Sequence, residues 1–174
     1  PYTRHDMLYK DYPFYVPAKE DDLWAWFKRL VSGKPHLVLF NYYPDGRRDA
    51  QLRRWWVIPR NRFFNIYLHQ ILRSDDDRAL HDHPWASVSF LLKGNLGEVV
   101  HDFHAASLSG YTTRWPKRFV PYYRPPELAH RLVIYDGEPC WTLFITGRKV
   151  RDWGFFCDGG WRSHTVFKKK GCGE

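Results

Sequence analysis

Apolar residues near the start of the chain recur at the spacing of a helix. The apolar positions that share one helical face are Leu23, Trp24, Phe27, Leu30 and Val31. Acidic residues at 20–22 stand where a helix N-terminus favours negative charge, and Gly33 supplies a stop signal. The pattern predicts one helix whose apolar face packs against a larger body. The Tyr- and Pro-rich residues 1–18 before it are predicted to form an extended arm.

From residue 36 onward the pattern changes to short apolar runs separated by turn residues, which is typical of strands. The main runs are 36–43, 52–58, 63–72, 81–93, 97–103, 119–123, 130–135 and 140–146. A weaker run lies within 105–117, and the dipeptide Asp136-Gly137 predicts a hairpin between the last two runs. One early helix followed by about seven to nine strands predicts an all-β sandwich or barrel.

Length and composition indicate one folded domain. The 174 residues and the 44% share of hydrophobic residues suit a chain with a core rather than a disordered one. Within it we predict an N-terminal extension over residues 1–60 that packs on a barrel over 61–160. Residues 161–174 are predicted to form a basic, frayed tail. Aromatic residues make up 18% of the chain, which suits strands that pack large rings or a pocket lined by them.

The charge balance favours anionic partners. Lys and Arg number 27 against 19 Asp and Glu, which gives a formal net charge of +8. A positive surface attracts nucleotides, phosphosugars, acidic proteins or nucleic acid. The charges are scattered rather than collected into long runs, so a solvated surface is the alternative to nucleic-acid binding. We therefore expect a small anionic substrate, with nucleic acid as a further candidate partner.

The three cysteines, Cys140, Cys157 and Cys172, form no closely spaced pair. An odd count without such a pair predicts neither a disulfide framework nor a zinc ribbon. Free thiols indicate a reducing compartment, so the predicted location is cytoplasmic. Cys140 is predicted to be a buried, inert thiol, because no paired base lies within its sequence reach. No apolar stretch reaches the length of a membrane span, and the first residues lack the apolar core of a signal peptide.

The main chemical signal is the pair His81 and His83. Alternate side chains of a strand share a face, so the two imidazoles would lie ~7 Å apart along it, since each residue rises about 3.3 Å. Two imidazoles at this spacing can close on one metal ion. His130 opens a later strand whose face continues through apolar residues, and it is the third ligand that we expect. The alternative is that all three are ordinary core histidines, since such a pair alone is a weak motif.

With these residues in view, the chain resembles the cupin superfamily of small β-barrels. The first cupin motif has two histidines two residues apart, then a glutamate and a closing glycine, and His81, His83 and Gly94 match the pair and that glycine. Pro125 and His130 match the proline and the histidine of the second motif. The segments 71–85 and 141–154 also resemble small cupin-like proteins of phages and bacteria. The resemblance implies an all-β, cupin-like jelly-roll barrel, here with an N-terminal helix and an extended arm.

The chain departs from the cupin motifs at several positions. Asp75 stands at the opening glycine of the first motif, and Ser87 stands at the position of its acidic ligand. In the second motif Phe119 and Glu127 replace the glycines, and Ile134 replaces the final asparagine. What remains is similar to the site of cupin thiol dioxygenases, which hold Fe(II) with three histidines. The resemblance therefore implies a three-histidine site with an open fourth position.

Replacement ligands, or hydrogen-bond partners of the ligands, could come from neighbouring strands. The candidates are Glu98, His101, His104 and His69. His101 and His104 cannot both face the same way on a regular strand, so at most one is expected to take part. Asp82 is expected to face away from the two histidines that flank it and to make a surface or loop contact. The acidic run 75–77 is expected to form a solvated turn.

Side chains around the histidines are candidates for substrate binding. Arg73, Arg78 and Arg131 could clamp a carboxylate or a phosphate, with ion pairs to nearby aspartates as the alternative. Tyr67 and Trp85 could line the pocket, with packing in the core as the alternative.

These features predict a metal-binding protein, with Fe(II) favoured and Zn, Ni or Mn left open. The resemblance implies a metal-dependent, Fe(II)-type oxygenase or dioxygenase that acts on a small anionic substrate. One alternative is a non-catalytic, metal-stabilised binding module for a nucleotide, a sugar, nucleic acid, or a phage or host protein. Another is a sugar isomerase or epimerase, which would pair a histidine base with a carboxylate. Cupins often pair through their sheets, so the resemblance also leaves a homodimer open.

Overall fold

Strands are the main regular elements of the computed structural model, which describes residues 23–42, 46–75, 79–101, 110–170 and 172. The helices are α1 (Leu23–Val31) and α2 (His164–Lys170). The strands are β1 (Leu37–Tyr42), β2 (Arg48–Trp56), β3 (Asn65–Ile71), β4 (Leu80–His81), β5 (Ser87–Lys93), β6 (Leu96–His101), β7 (Tyr111–Arg114), β8 (Pro121–Arg124), β9 (His130–Ile134), β10 (Cys140–Thr146), β11 (Gly154–Cys157) and β12 (Gly160–Ser163).

The strands form two antiparallel sheets. The first sheet has the order β1-β2-β3-β10-β5-β8, and the second has the order β12-β11-β4-β9-β6-β7. From β3 to β10 the strands pair from the outside inward: β3 with β10, β4 with β9, β5 with β8 and β6 with β7. A long hairpin rolled up in this way is a jelly roll, so the predicted all-β, cupin-like jelly-roll fold is confirmed. Within the described residues no strand pairs across the two sheets, so they form a sandwich rather than a closed barrel.

The hydrophobic core lies between the sheets. Its buried members are Ile71, Leu91 and Cys140 from the first sheet and Leu96 from the second. Gly94 turns the chain from β5 in one sheet to β6 in the other with a positive φ of 94°. A Cβ at this position would lie 2.6 Å from Cys140 Sγ, so the turn requires glycine. Cys140 is buried as predicted, and burial raises the pKa of its thiol.

Two predictions about the strands are wrong: one predicted strand is interrupted, and one predicted hairpin does not form. Local sequence signals do not determine which strands pair. The predicted strand 81–93 is interrupted: β4 ends at His81, and β5 lies in the other sheet. Pro84 lies in the gap and lacks the N–H that a strand ladder needs. The dipeptide Asp136-Gly137 makes the expected turn, but it joins β9 and β10, which belong to different sheets and form no hairpin.

The C-terminal segment forms a hairpin and a helix where a frayed tail is predicted. β11 pairs with β12 on one side and with β4 on the other. Phe167 of α2 stacks on Phe155 of β11, with ring centroids 3.8 Å apart. A disulfide joins Cys157 and Cys172, so the prediction of three free thiols is wrong. The spacing of the two cysteines could not reveal the pair, because the hairpin and helix bring them together. The cytoplasmic location loses one of its premises and stays a prediction.

Helix α1 does not bury its apolar face against the described part of the chain, contrary to the prediction. Leu23 and Val31 are 61% and 65% exposed. The helix is held instead by Trp26, whose Nε1 donates a hydrogen bond to the backbone oxygen of Trp56, 2.8 Å away. The helical period identifies an apolar face but not what covers it. The predicted arm and the acidic start of the helix, within residues 1–22, lie outside the described residues.

The strand pairing runs across both predicted boundaries, near residues 60 and 160. β2 pairs with β3 across the first boundary, and β11 pairs with β12 at the second. The hydrogen-bonded sheets therefore include parts of the predicted N-terminal extension and of the predicted tail. None of the helices in the described ranges is long and apolar enough to cross a membrane.

Candidate metal centre

Three histidine side chains converge on the inner side of the second sheet. His81 of β4 pairs directly with His130 of β9, and His83 follows in the segment between β4 and β5. The ring centroids lie 5.1 Å apart for His81 and His83, and 5.0 Å apart for each of the other two pairs. One nitrogen from each ring lies within 4.8 Å of the others. The structure thus brings the three predicted ligands together as a group that could hold a metal ion.

The first two histidines reach the site by a different route from the predicted one. They do not share a face of one regular strand, because β4 ends at His81. The backbone N–H of His83 donates to the carbonyl oxygen of Pro126, 3.1 Å away. The ring of His83 lies nearly parallel to that of Trp85, with centroids 6.2 Å apart and 13° between the planes. These contacts fix His83 over the site after the strand has ended.

Asp82 anchors the short segment between these two histidines. Its buried carboxylate accepts hydrogen bonds from the backbone N–H of Gly154 at 2.7 Å and from Trp161 Nε1 at 3.0 Å. Arg151 Nη1 donates a third at 2.7 Å and balances the charge. The expected surface or loop contact for Asp82 is therefore wrong. The C-terminal hairpin, which the sequence pattern did not predict, covers this side of the segment.

A buried carboxylate fixes the ring of His130. His130 Nδ1 lies 2.5 Å from Glu98 Oε1, and Arg124 Nε donates to the same oxygen at 2.5 Å. An ionised carboxylate only accepts hydrogen bonds, so Nδ1 carries the proton and Nε2 has the lone pair that can bind a metal. Arg124 is held in turn by Ser89, whose Oγ accepts a hydrogen bond from Nη1 at 2.6 Å. Glu98 is therefore the hydrogen-bond partner of a ligand and not a fourth ligand.

The surroundings keep Glu98 ionised and two of the histidines neutral. Burial would raise the pKa of Glu98, but the hydrogen bond and charge of His130 and the Arg124 guanidinium hold it at about 2. Burial lowers the pKa of His81 to about 3, with a further contribution from His130. Burial also lowers the pKa of His83 well below its usual value, and the neighbouring imidazoles add to the effect. Neutral imidazole is the form that binds a metal ion.

The nitrogen positions fit an ion held by imidazoles. Imidazole nitrogens lie about 2.0–2.1 Å from a bound Zn²⁺, which separates two of them by about 2.8–3.4 Å at ligand angles of roughly 90–110°. His83 Nε2 and His130 Nε2 are 2.8 Å apart. His81 Nδ1 is buried and has no hydrogen-bond partner within the described residues, so it is available as a donor atom to an ion. The imidazole donors suit a transition metal, and the Nε2 atoms of His83 and His130 are close enough to bind one ion.

The histidine cluster opens into a cavity of about 1590 Å³, which the two sheets and helix α1 enclose. Phe155 lies beside His81, with ring centroids 5.9 Å apart, and Trp153 packs on Phe155 at 5.6 Å. Across the cavity the first sheet supplies Tyr67 and other inward-facing side chains. Aromatic rings therefore pack beside the histidines at the wall of the cavity.

Besides Asp75 and the three clustered histidines, three other side chains that the sequence singled out line this cavity. They are Tyr67, His69 and Trp85. The rings of Tyr67 and His69 stack with centroids 5.8 Å apart and 13° between the planes. His69 faces the cavity from the first sheet and is not part of the histidine cluster, so the structure gives it no role as a ligand.

Two of the three arginines that were predicted to clamp the substrate, Arg73 and Arg131, do not line this cavity. Arg73 pairs with Asp49 at the surface, with 3.0 Å between Nη2 and Oδ2, because β2 brings that aspartate beside it. Arg131 follows His130 on β9 and therefore faces the outer side of the sheet. Neither arginine is among the residues that line the cavity. Arg78 lies outside the described residues.

Of the remaining candidate ligands, His101 lies away from the cluster. His101 follows the fully buried Val100 on β6, and its ring packs edge-on against Tyr111 with centroids 5.5 Å apart. His104 lies outside the described residues. Asp75 does not form a solvated turn, because its carboxylate accepts hydrogen bonds from the backbone N–H of Leu132 and from a glutamine on β2.

None of the arginines that line the cavity was predicted as a site residue: Arg29, Arg54, Arg60, Arg62 and Arg124. Arg54 alternates with Leu52 and Trp56 on β2, so a charged residue stands on an otherwise apolar face. That pattern was the available signal for Arg54. Arg124 gave no such signal, because its ion pair with Glu98 joins two strands that are distant in sequence.

No family model matches the chain, and no curated protein matches it. Among solved structures it is similar to a cupin-2 domain from Rhodospirillum rubrum, with 12% identity, a TM-score of 0.49, and coverage of 71% of this chain and 78% of that one. It is also similar to a cupin domain from Bordetella pertussis, with 16% identity, a TM-score of 0.42, and coverage of 56% and 93%. A third is HppE with Fe(II) and substrate, with 10% identity, a TM-score of 0.46, and coverage of 63% and 55%. These likenesses concern the fold alone, which resembles that of the cupins.

Proposed function

We propose that this protein is a metal-dependent oxygenase of the Fe(II) type that acts on a small anionic substrate. The observation that supports this most is the convergence of three imidazoles, with no carboxylate among them, at the wall of a cavity. The buried carboxylate of Glu98 is engaged by His130 Nδ1 and by Arg124, so it does not neutralise an ion directly.

The donor set favours a transition metal over Mg²⁺ or Ca²⁺. Those hard cations prefer carboxylate and carbonyl oxygens, whereas imidazole suits Fe, Zn, Ni and Cu. Three neutral ligands leave the ion its full positive charge, which attracts an anionic group to the open positions. Fe(II) is our first expectation, and Zn, Ni and Mn are the alternatives that metal analysis separates.

Bound Fe(II) would supply one-electron chemistry with oxygen, and the residues of the chain would prepare the site for it. Glu98 fixes the tautomer of His130 and the direction of its Nε2. Asp82 fixes the backbone between the other two histidines. Trp85 and Phe155 pack beside His83 and His81 and form the apolar part of their surroundings.

Metal analysis combined with oxygen uptake tests the proposal. The full chain is purified without oxygen, loaded with Fe(II), and compared with His83→Ala and with His101→Ala. His101→Ala is the matched control, because that imidazole lies outside the cluster. We expect about one iron per chain in the wild type and the control, and little in His83→Ala. Oxygen uptake should follow the iron when small carboxylate-bearing thiols and 2-oxoglutarate are supplied.

The outcomes of this experiment separate the metal centre from the chemistry. Iron at full loading without oxygen uptake from any substrate of the panel would contradict the oxygenase. The metal centre itself would be contradicted if the wild type retained no more metal than His83→Ala with each of Fe, Zn, Ni and Mn.

A non-catalytic binding module is the second candidate, and the size of the cavity favours it. At about 1590 Å³ the cavity exceeds the roughly 300–1000 Å³ of an ordinary small-molecule pocket, so a nucleotide or a sugar phosphate could occupy it. Metal loading and ligand-dependent stabilisation without turnover would favour this module. A sugar isomerase or epimerase would need a histidine–carboxylate pair for proton transfer, and the pair formed by His130 and Glu98 belongs to the metal centre. Binding to nucleic acid and formation of a homodimer stay predictions.

A further inference from the structure

The guanidinium of Arg54 lines the cavity, and no carboxylate of the described residues pairs with it. Arg54 pairs across the strands with His69, and its Nε donates a hydrogen bond to His69 Nε2 at 2.8 Å. Its guanidinium carbon also lies 4.8 Å from the centroid of the Tyr67 ring. Within the described part of the chain, Arg54 forms no ion pair and its two terminal nitrogens donate no hydrogen bond. Arg124, which lines the same cavity, is by contrast balanced by Glu98.

A partly buried guanidinium that has no ion pair is unfavourable unless an anion binds to it. Burial lowers the pKa of Arg54, Tyr67 opposes this shift, and the charge of Arg60 adds to it. His69 does not balance the charge, because burial and Arg54 itself lower the pKa of that imidazole well below its usual value. An arginine with unused donors and no counterion costs stability, so its position points to a ligand that supplies the negative charge.

Arg54 and the metal centre face the same space. Arg54 and the three histidines all line the one cavity described above. Arg60 lines this cavity too, with its guanidinium carbon 5.4 Å from the centroid of the Trp56 ring. One ligand could therefore present an anionic group to Arg54 and its reacting group to the three histidines.

We propose that Arg54 is the receptor for an oxyanion of the substrate, either a carboxylate or a phosphate. Its terminal nitrogens, Nη1 and Nη2, donate two parallel hydrogen bonds to the oxygens of the anion. Arg60 strengthens the attraction through its charge. The anion site selects acids over neutral sugars. Only the placement of the reacting group rests on the proposed function, because the anion site requires no metal.

Anion-dependent thermal unfolding tests this site without any activity. The full chain is titrated with inorganic phosphate and, separately, with acetate at constant ionic strength, before and after removal of metal with EDTA. Arg54→Gln removes the cation. Arg53→Gln is the matched control, because the neighbouring Arg53 is exposed and bonds to Gln70. We expect at least one anion to raise the Tm of the wild type and the control, and Arg54→Gln to need about tenfold more of it for the same shift.

Arg54→Lys covers the case in which the glutamine variant does not fold. Lysine keeps the charge but loses the planar fork, so its response should lie between those of the wild type and Arg54→Gln. The proposal is overturned if neither anion stabilises the wild type after EDTA treatment, or if the Arg54 variants respond as the wild type does. A failure of the oxygenase proposal would look different, because oxygen uptake would be absent while the anion response persisted.

Discussion

Glu98 and His130 lie 2.5 Å apart, Oε1 to Nδ1, and this buried contact determines what the carboxylate does in the metal centre. The sequence left Glu98 either as a fourth ligand or as a partner of a ligand. Because it binds the nitrogen that does not face His83, it orients an imidazole and cannot bind the same ion. A carboxylate in this place makes its imidazole a more basic and better fixed ligand.

Glu98→Gln should weaken metal binding by about 10–100-fold, although all three imidazoles remain. The amide no longer ensures that His130 presents Nε2 to the ion, and Arg124 loses its counterion. Removal of one partner of a buried pair should also lower the free energy of unfolding by about 3–5 kcal/mol. Competition with a chelator measures the affinity. Glu138→Gln, in an exposed turn, is the control, and equal affinities for all three proteins would contradict this role of Glu98.

Asp82→Ala should lower both stability and metal affinity, because the carboxylate ties the segment between two ligands to the C-terminal hairpin. The change leaves the N–H groups of Gly154 and Trp161 without their acceptor and should cost about 2–5 kcal/mol of unfolding free energy. Urea unfolding measures the stability, and chelator competition measures the affinity. Asp158→Ala changes an exposed aspartate of the same hairpin and should behave as the wild type. Metal affinity unchanged in Asp82→Ala would show that the histidines do not depend on this anchor.

The sequence predicts local features of this fold better than long-range ones. Alternation of apolar and polar residues located most of the strands, and the run 140–146 coincides with β10. Strand pairing could not be predicted in the same way, because the jelly roll pairs β3 with β10 although six other strands lie between them in the sequence. The turn at Asp136-Gly137 illustrates the limit. Its residues specify a reversal of the chain, but the next strand can join either sheet.

The candidate site shows the same difference between local features, which the sequence predicts, and long-range contacts, which it does not. The three histidines could be selected because residue type and spacing are visible in the sequence. Arg124 meets Glu98 only where the two sheets face each other, so no pattern within a strand predicts that pair. The unbalanced charge of Arg54 becomes evident only when its cross-strand neighbours are known. Roles that depend on a partner in another strand were therefore the ones that sequence reasoning missed.

Acid should destabilise the metal-free protein through its buried histidines. Burial lowers the pKa of His69 and His83 well below 6.5, and that of His81 to about 3. In the unfolded chain these groups take up protons as the pH falls through about 6.5, whereas in the folded protein they stay neutral. The unfolded state then binds more protons, so stability falls as the pH falls. The expected loss approaches about 1.4 kcal/mol per pH unit for each histidine below roughly pH 6.

Urea unfolding between about pH 7.5 and pH 5 measures this dependence. His69→Gln removes one of the contributing groups without touching the metal cluster, so its stability should depend less steeply on pH. His101→Gln, on the outer side of β6, should keep the slope of the wild type. A slope in His69→Gln as steep as that of the wild type would contradict the assignment.

Reduction of the disulfide between Cys157 and Cys172 should destabilise the C-terminal helix and, through it, the metal centre. The bond closes a loop with a sequence separation of 15, for which the chain-entropy relation gives about 3 kcal/mol. Helix α2 carries Phe167, which stacks on Phe155, and Phe155 in turn lies 5.9 Å from His81. Thermal unfolding with and without a reducing agent should therefore show a lower Tm for the reduced protein, and chelator competition should show weaker metal binding.

Two controls separate the loss of this bond from other effects of the reducing agent. Titration of thiols in denaturant should detect Cys140 alone before reduction and all three cysteines after it. The double variant Cys157→Ser, Cys172→Ser should unfold at the Tm of the reduced wild type and should not respond to the reducing agent, because it has no bond to lose. If the oxidised wild type and the double variant unfold at the same temperature, the bond does not stabilise the helix, and its proposed link to His81 is wrong.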